Sequence, residues 1–336
     1  MVLRPTPSAI SLQALAQTLN LPSYGDAVIT GVTHRSGDVQ PGDLFIAIPG
    51  FSSHGIEHVD EAKKRGAVAV ATDATGLRAL ADFPSLTLDH PRQDMARLAA
   101  EVFGHPEQQV RLVGVTGTNG KTTVTHMIRA ITREAGLSVG LIGTLGSFLN
   151  EEVIPSQRTT PEAPDLYAVL AYMVEHGAQV VVMEVSSHAL ELARVDGLVF
   201  EVSVFTNLSQ DHLDFHGTMQ NYFSAKAKLF ASDKSKFGVL GIDDEWGLAL
   251  ADSVDIPHVT VSLDRHGSEN TFGNENGHAS DNRHSAGNEK FADVWIEKIE
   301  QDASGTLFQL HEHSIGETSS FLSETHRIPL IGAFNV

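Results

Sequence analysis

The chain has no cysteine among its 336 residues. Disulfides and thiolate metal sites are therefore excluded, although that absence does not fix the compartment. Long apolar runs are also missing. No stretch approaches the ~20 consecutive apolar residues that span a bilayer. Met1 to Ser11 lacks the basic-then-apolar layout of a signal peptide. The expected location is cytoplasmic, with no membrane partner. Positive charge is scarce: 23 Lys and Arg stand against 42 Asp and Glu, a formal net charge of −19. This balance argues against nonspecific binding to nucleic acid or acidic membranes. An anionic substrate is still compatible with it, because a nest of N–H groups or a few arginines binds phosphate inside an acidic protein. Hydrophobic residues reach 41%, enough for substantial cores, and the length suggests about two domains.

What is present is a glycine-rich loop, Gly114-Val115-Thr116-Gly117-Thr118-Asn119-Gly120-Lys121-Thr122-Thr123. It follows an apolar run, Val110 to Val115, and precedes a helix-like segment, Val124 to Ala135. Strand, glycine loop and helix N-terminus together form a phosphate cradle, since loop N–H groups and the helix dipole favour anions. Lys121 would reach the outer phosphates and Thr122 would offer its hydroxyl to Mg²⁺. The first glycine of the general pattern is displaced, because Val115 stands where it would fall. The competing reading is a plain glycine turn between strand and helix.

Residues 1–104 read as a small α/β domain. Ser11 to Leu19 has helical spacing, and Gly42 to Ile48 reads as a turn and buried strand. Ile56 to Arg65 is helix-like up to Gly66, Ala67 to Ala71 is a strand, and Met95 to Phe103 is a helix. Gly104-His105-Pro106 marks the boundary. From residue 105 to 336 strands and helices alternate: Ser138 to Ile142, Ala163 to His176, Gln179 to Val185 and Val202 to Thr206 are among them. The expected fold is α/β, a small N-terminal α/β domain followed by a P-loop domain with a mostly parallel sheet covered by helices. Asp264 to Lys290 is rich in Asn, Gly, Ser and His and reads as a mobile surface loop. The spacing of His266, His278 and His284 is too irregular for a metal site. Phe291 to Ile299 and Thr306 to His311 read as paired strands.

Ligands bind beyond the carboxyl ends of strands in such sheets. Glu184 ends the apolar strand Val180 to Met183, where an acid beside a glycine loop holds Mg²⁺. The bland alternative is a strand-end acid facing water. Ser186-Ser187-His188 reads as a helix cap, a role compatible with substrate binding. Arg194 is either a solvated surface group or a binder of carboxylate or phosphate. Asn207 to His216 is dense in oxygen and imidazole groups. It is either a polar turn or a second cation site with His212 as ligand. Lys226 reads as an ordinary helix lysine with Lys228 its equal. Thr159-Thr160-Pro161-Glu162 reads as a helix start, with both threonines as caps, proline in the first turn and then an acid.

Taken together, these strings resemble the Mur ligases and, more distantly, their folylpolyglutamate synthetase relatives. They are Gly117 to Thr123, Arg158-Thr159-Thr160-Pro161-Glu162-Ala163-Pro164, Met183-Glu184-Val185-Ser186-Ser187-His188-Ala189-Leu190, Phe205 to His216, and Ala225-Lys226. Thr-Thr-Pro-Glu and Glu-Val-Ser-Ser-His-Ala-Leu are similar to the members that add the third residue of the peptidoglycan stem peptide. The resemblance implies an ATP- and Mg²⁺-dependent ligase that joins a diamino acid, lysine or meso-diaminopimelate, to UDP-N-acetylmuramoyl-L-alanyl-D-glutamate through an acyl phosphate. By the same resemblance, Gly117, Thr118, Asn119, Gly120, Lys121, Thr122 and Thr123 hold ATP. Thr122, Glu184, His212 and Lys226, as its carbamate, hold metal, and Lys121, Lys226 and His212 are catalytic. Thr159, Thr160, Ser186 and Arg194 bind the muramoyl peptide, and Ser36 the uridine. Family members are mostly monomers. Two departures stand out. Arg35-Ser36-Gly37 replaces the usual Asp-Ser-Arg, and Ala333 replaces an Arg in Ile331-Gly332-Ala333-Phe334-Asn335-Val336. The family's C-terminal domain, which binds the incoming amine and closes over ATP, is expected beyond this string, and the central domain reads as incomplete at its end. Without that domain the chain would bind nucleotide and UDP-sugar peptide but ligate nothing. A generic loop NTPase is the third reading, and it has no need of the Thr-Thr-Pro-Glu and Ser-Ser-His strings.

Overall fold

A computed structural model describes residues 3, 5–6, 9–50, 53–154, 158–263, 292–302, 305–313 and 321–328. The chain forms two compact units, one of residues 1–114 and 125–200, the other of residues 115–124 and 201–336.

The first unit holds a five-stranded sheet. Its order is Ser23–Tyr24, Ser85–Thr87, Ala69–Thr72, Asp43–Ala47, Gly31–Thr33. Only the Ser23–Tyr24 edge is antiparallel. Asp43–Ala47 is buried at every residue, as a parallel strand covered on both faces must be. Phe45, Ala47 and Val70 of this sheet pack with Val59 and Ala62 of the helix Val59–Arg65. That helix begins later than its apolar spacing predicts. Its first turn, Gly55–His58, is a 3₁₀ turn in which the His54 side chain accepts the Ile56 N–H at 3.0 Å. The helix expected at Met95 begins at Pro91 and runs to Val102, because proline's missing N–H costs nothing in a first turn.

The same unit carries a second set of strands in the order Glu152–Ile154, Gly146–Leu149, Val139–Gly143, Val180–Glu184, Arg111–Thr116. The last of these crosses into the other unit at residue 115. Val139–Gly143 and Val180–Glu184 are parallel, fully buried, and end at the same level. The hairpin strands Gly146–Leu149 and Glu152–Ile154 are antiparallel, and the alternation of strand and helix gives no hint of them. The helix Ala163–Glu175 follows. Reading Thr159 and Thr160 as its caps is a correction to make: the cap residue is Glu162, so both threonines stand outside the helix and are available for other bonds.

In the second unit Val202–Phe205, Gly238–Gly241, His258–Ser262 and Val294–Asp302 are successively parallel. Gly305–His313 and Phe321–Ile328 extend them antiparallel. The first of these two pairings is the one expected from the sequence. The loop reading of 264–290, its histidines, and the string Ile331 to Val336 lie outside the described residues.

Candidate active site

The glycine loop belongs to the second unit. Strand Arg111–Thr116 leads into it, and the helix begins at Lys121 itself, three residues before the apolar spacing suggests. Gly117 has φ +145° and Gly120 φ +83°. A Cβ on Gly117 would lie 1.9 Å from Thr206 Oγ1 and 3.1 Å from Asn207 O. The loop is clamped by the segment after Val202–Phe205. Thr118 N–H donates to Asn207 O at 2.9 Å, Asn119 N–H to Asn207 Oδ1 at 3.0 Å, and Thr206 Oγ1 to Asn119 O at 2.6 Å. Gly117→Ala therefore strains both backbone and contact. An expected loss of about 2 kcal/mol or more follows, read as a lowered denaturation midpoint at unchanged slope.

Two lysines converge on this loop. Lys121 Nζ donates to Gly117 O at 3.0 Å and Thr118 O at 2.9 Å. Lys226 Nζ donates to the same Gly117 O at 2.6 Å. Lys226 is 1% exposed and lies 4.6 Å over the Tyr222 ring. Burial first, and then the nearby Lys121 charge, lower its pKa to about 7. Lys228 is solvent-exposed, so the fold separates two lysines that the sequence leaves equal. His212 sits at φ +51°, edge-on to the same Tyr222 ring at 6.2 Å, with Nε2 3.5 Å from Asp211 Oδ2. Thr118 Oγ1 lies 3.2 Å from Tyr222 Oη. Tyr222, Thr206 and Asn207 thus organise the cluster. Sequence reading gave Tyr222 no role, and only its position one helical turn before Lys226 hints at one.

The first unit gathers the other candidates around the end of Val180–Glu184. Glu184 is 1% exposed. Its Oε1 accepts the Thr144 N–H at 2.8 Å and its Oε2 the Thr144 hydroxyl at 3.1 Å. Thr144 Oγ1 lies 3.0 Å from Thr159 Oγ1. Thr144 was missed; the available signal is its place just past the neighbouring parallel strand Val139–Gly143. Thr160 Oγ1 donates to Glu184 O at 2.8 Å and accepts the Ser186 N–H at 3.2 Å. Ser186 caps the short helix Ser187–Glu191, so capping and proximity to the site coexist. Arg194 is no surface group. It is 8% exposed, donating from Nη1 to Thr160 O at 3.2 Å and pairing Nη2 with Glu162 Oε1 at 2.7 Å. Ser36 stands elsewhere in this unit, its hydroxyl bonded to Glu61 Oε2 at 2.7 Å. Beside it Arg35, which departs from the usual acid, pairs with Asp165 at 3.0 Å.

Thr122 in the second unit and Glu184 in the first each carry an oxygen donor, the kind Mg²⁺ prefers. Among the described residues no group of three or more His, Asp or Glu could hold a metal ion.

Family models match most of the chain. The Mur ligase middle domain matches residues 115–336, and the Mur ligase family, catalytic domain, residues 28–108. The chain belongs to the Mur ligase family. This Mur ligase is 48% identical over 262 residues to the UDP-N-acetylmuramoyl-L-alanyl-D-glutamate–2,6-diaminopimelate ligase of Streptomyces coelicolor, which covers 77% of the chain and 52% of the relative. It is 38% identical over 333 residues to the UDP-N-acetylmuramyl-tripeptide synthetase of Deinococcus radiodurans, 97% of the chain and 61% of the relative. The chain thus spans about half the length of the curated relatives it matches. Among solved structures, a UDP-N-acetylmuramoyl-L-alanyl-D-glutamate–2,6-diaminopimelate ligase superposes with a TM-score of 0.71 at 26% identity, covering 92% of this chain and 57% of that one. A MurF ligase from Thermotoga maritima in complex with ADP shares the fold at a TM-score of 0.53 and 19% identity, covering 88% of this chain and 57% of that one. The α/β architecture expected from the sequence is the Mur ligase architecture.

Proposed function

We propose that this chain carries the ATP- and muramoyl-peptide-binding parts of an amide ligase that extends the peptidoglycan stem peptide. The substrate is UDP-N-acetylmuramoyl-L-alanyl-D-glutamate. The incoming amine is a diamino acid, 2,6-diaminopimelate on the strength of the names its relatives carry. The observation that carries the reading is the buried Lys226 amine set 2.6 Å from the Gly117 carbonyl of the phosphate loop. A simple loop ATPase has no use for a desolvated lysine there whose pKa is lowered to about 7. Modified by CO₂, it becomes an oxygen ligand.

ATP is the cofactor, cradled by the N–H groups of residues 117–123, with Lys121 neutralising the outer phosphates. When Mg²⁺ is bound, it offsets phosphate charge and polarises the transferring group; Thr122, Glu184, His212 and carbamylated Lys226 are the residues that would hold it. Thr159, Thr160, Ser186 and Arg194 hold the peptide so that its glutamyl carboxylate takes the phosphoryl group. The resulting acyl phosphate has a good leaving group, and the amine displaces phosphate to form the amide. Ser36 and residues 1–104 take the uridine end. The reading includes a cytoplasmic monomer. Among the described residues no helix is long and apolar enough to cross a membrane.

The test is incubation with ATP, Mg²⁺, the UDP-muramoyl dipeptide and either 2,6-diaminopimelate or lysine. The expected result is dipeptide-dependent ADP release with a tripeptide mass formed from diaminopimelate. ADP release indifferent to the dipeptide would sink the ligase reading. Tight binding of both ligands with no product would favour the alternative, a nucleotide- and UDP-sugar-peptide-binding protein.

A further inference from the structure

The adjacent acids Asp243 and Asp244 look equivalent in the sequence, and the fold gives them different tasks. Asp243 Oδ1 accepts the Ser262 hydroxyl at 2.7 Å and the Leu263 N–H at 2.8 Å, tying together the ends of two parallel strands. Asp244 caps the helix Glu245–Ser253. Its Oδ1 accepts the Gly247 N–H at 2.7 Å, the usual bond of an N-cap acid. Its Oδ2 makes a bond that capping does not need, accepting the Leu208 N–H at 2.8 Å. Leu208 is 4% exposed and lies in a segment outside any helix or strand, so no ladder carbonyl serves its N–H. A buried N–H left without an acceptor costs roughly 1–3 kcal/mol, and Asp244 removes that cost.

Leu208 stands between the two residues that clasp the glycine loop. Asn207 on one side accepts the N–H groups of Thr118 and Asn119. Ser209 on the other side donates its N–H to Thr118 Oγ1 at 3.0 Å, and its hydroxyl oxygen accepts from Asn119 Nδ2 at 3.3 Å. Backbone packing fixes the start of the helix against the same segment. A Cβ on Gly247 would lie 2.0 Å from Gly241 O, and a Cβ on Gly241 would lie 2.6 Å from Thr206 O. No side chain fits at either level, so helix start, strand end and clasp form one column with little play. All of these residues belong to the second unit.

We infer that Asp244 is a positioning residue for the nucleotide site. One oxygen holds the helix and the other holds Leu208. Together they set where Asn207 and Ser209 meet Thr118 and Asn119, and so the shape of the loop that receives the triphosphate. Asp244 acts through the clasp and not on the nucleotide. The inference rests on the phosphate-loop reading. It also fixes a sign. An acid that acted on a bound triphosphate through its charge would repel it, and neutralising that acid would tighten binding. Loss of a positioning acid weakens binding instead.

The test uses Asp244→Ser and Asp244→Asn, both of which keep a good N-cap for the helix. Serine is too short to serve the helix and Leu208 together. Asparagine has one carbonyl oxygen, so its amide N–H₂ faces one of the two N–H groups that need an acceptor. Each variant is titrated with a fluorescent ATP analogue and, by calorimetry, with UDP-N-acetylmuramoyl-L-alanyl-D-glutamate, and its urea midpoint is read. ATP affinity is expected to fall ~10-fold, the worth of one hydrogen bond to a charged acceptor. Affinity for the muramoyl dipeptide is expected to stay unchanged, because the residues proposed to hold it lie in the first unit. ATP affinity that is unchanged or tighter in both variants overturns the inference. Parallel losses of ATP affinity, dipeptide affinity and stability overturn it too, since Asp244 would then serve the fold alone. Should neither variant fold, amide exchange in the wild-type chain decides. The Leu208 N–H is expected to exchange far more slowly than those of the exposed Gln210 and Asp211, and equally fast exchange overturns the bond. A wild-type chain that binds no ATP overturns the phosphate-loop reading instead.

Discussion

Lys121→Ala is expected to abolish useful nucleotide binding while leaving the chain folded. Lys121 Nζ is bonded to two loop carbonyls, Gly117 O and Thr118 O. The Gly117 oxygen keeps a second donor in Lys226, and Thr118 is partly open to water. Truncation therefore costs the fold about 1 kcal/mol. With ATP bound the accounting differs. A charge-assisted contact to phosphate is lost beside the buried Lys226, and the loss is about 3 kcal/mol or roughly 100-fold in affinity. Titration with a fluorescent ATP analogue reads the affinity, and urea unfolding reads the stability. Unchanged ATP affinity would remove the phosphate-loop assignment. Equal losses in binding and stability would mean that the lysine is structural.

The second large effect is expected at Lys226. Its pKa of about 7 means that close to half of the amines are neutral at neutral pH, and only the neutral amine attacks CO₂. In bicarbonate the carbamate should form as pH rises through about 7, whereas an ordinary lysine would need pH near 10. Intact mass under trapping conditions reads the modification, and a free amine at pH 8 in bicarbonate, with Mg²⁺ and nucleotide present, counts against it. Lys226→Met removes the proposed ligand and should lower ligation by at least about 100-fold, with nucleotide affinity much less affected.

The same residue sets a pH dependence of stability. Its folded pKa is depressed below the unfolded value of 10.5. Between about 7 and 10.5 the unfolded chain binds more protons, so stability rises with pH across that window and the full penalty is present below about 7. Lys226→Met should flatten this slope and raise stability at pH 6, because an apolar group replaces a buried charge. An identical slope in wild type and variant would show that Lys226 is not the group responsible.

Much of this was readable from local pattern. The run Val180 to Met183 could only be a covered strand, and Glu184 had to fall at its end. The glycines at 117 and 120 had to supply positive φ between strand and helix. Ser186 was a cap by composition and is one. Where reading failed, the deciding contact lay far away in the chain. The 3₁₀ turn at Gly55–His58 depends on a histidine acting as a cap, which propensity does not favour. Thr159 and Thr160 look like caps until Thr144 and Glu184, brought alongside by the parallel pairing of Val139–Gly143 with Val180–Glu184, are seen to take their hydroxyls.

The sequence by itself determined the class of this protein. Periodicity and glycine placement define an α/β phosphate-loop fold, and a few dense strings carry the resemblance to the Mur ligases, because those features act within a turn or two of the chain. Tertiary structure alone decided which lysine is buried, since the difference between Lys226 and Lys228 lies in the burial of one and the exposure of the other. It alone also decided between the two readings of Arg194, making it one arm of a buried ion pair with Glu162. Desolvation and hydrogen-bond completion are properties of surroundings, and residues 32 to 109 positions apart supply those surroundings.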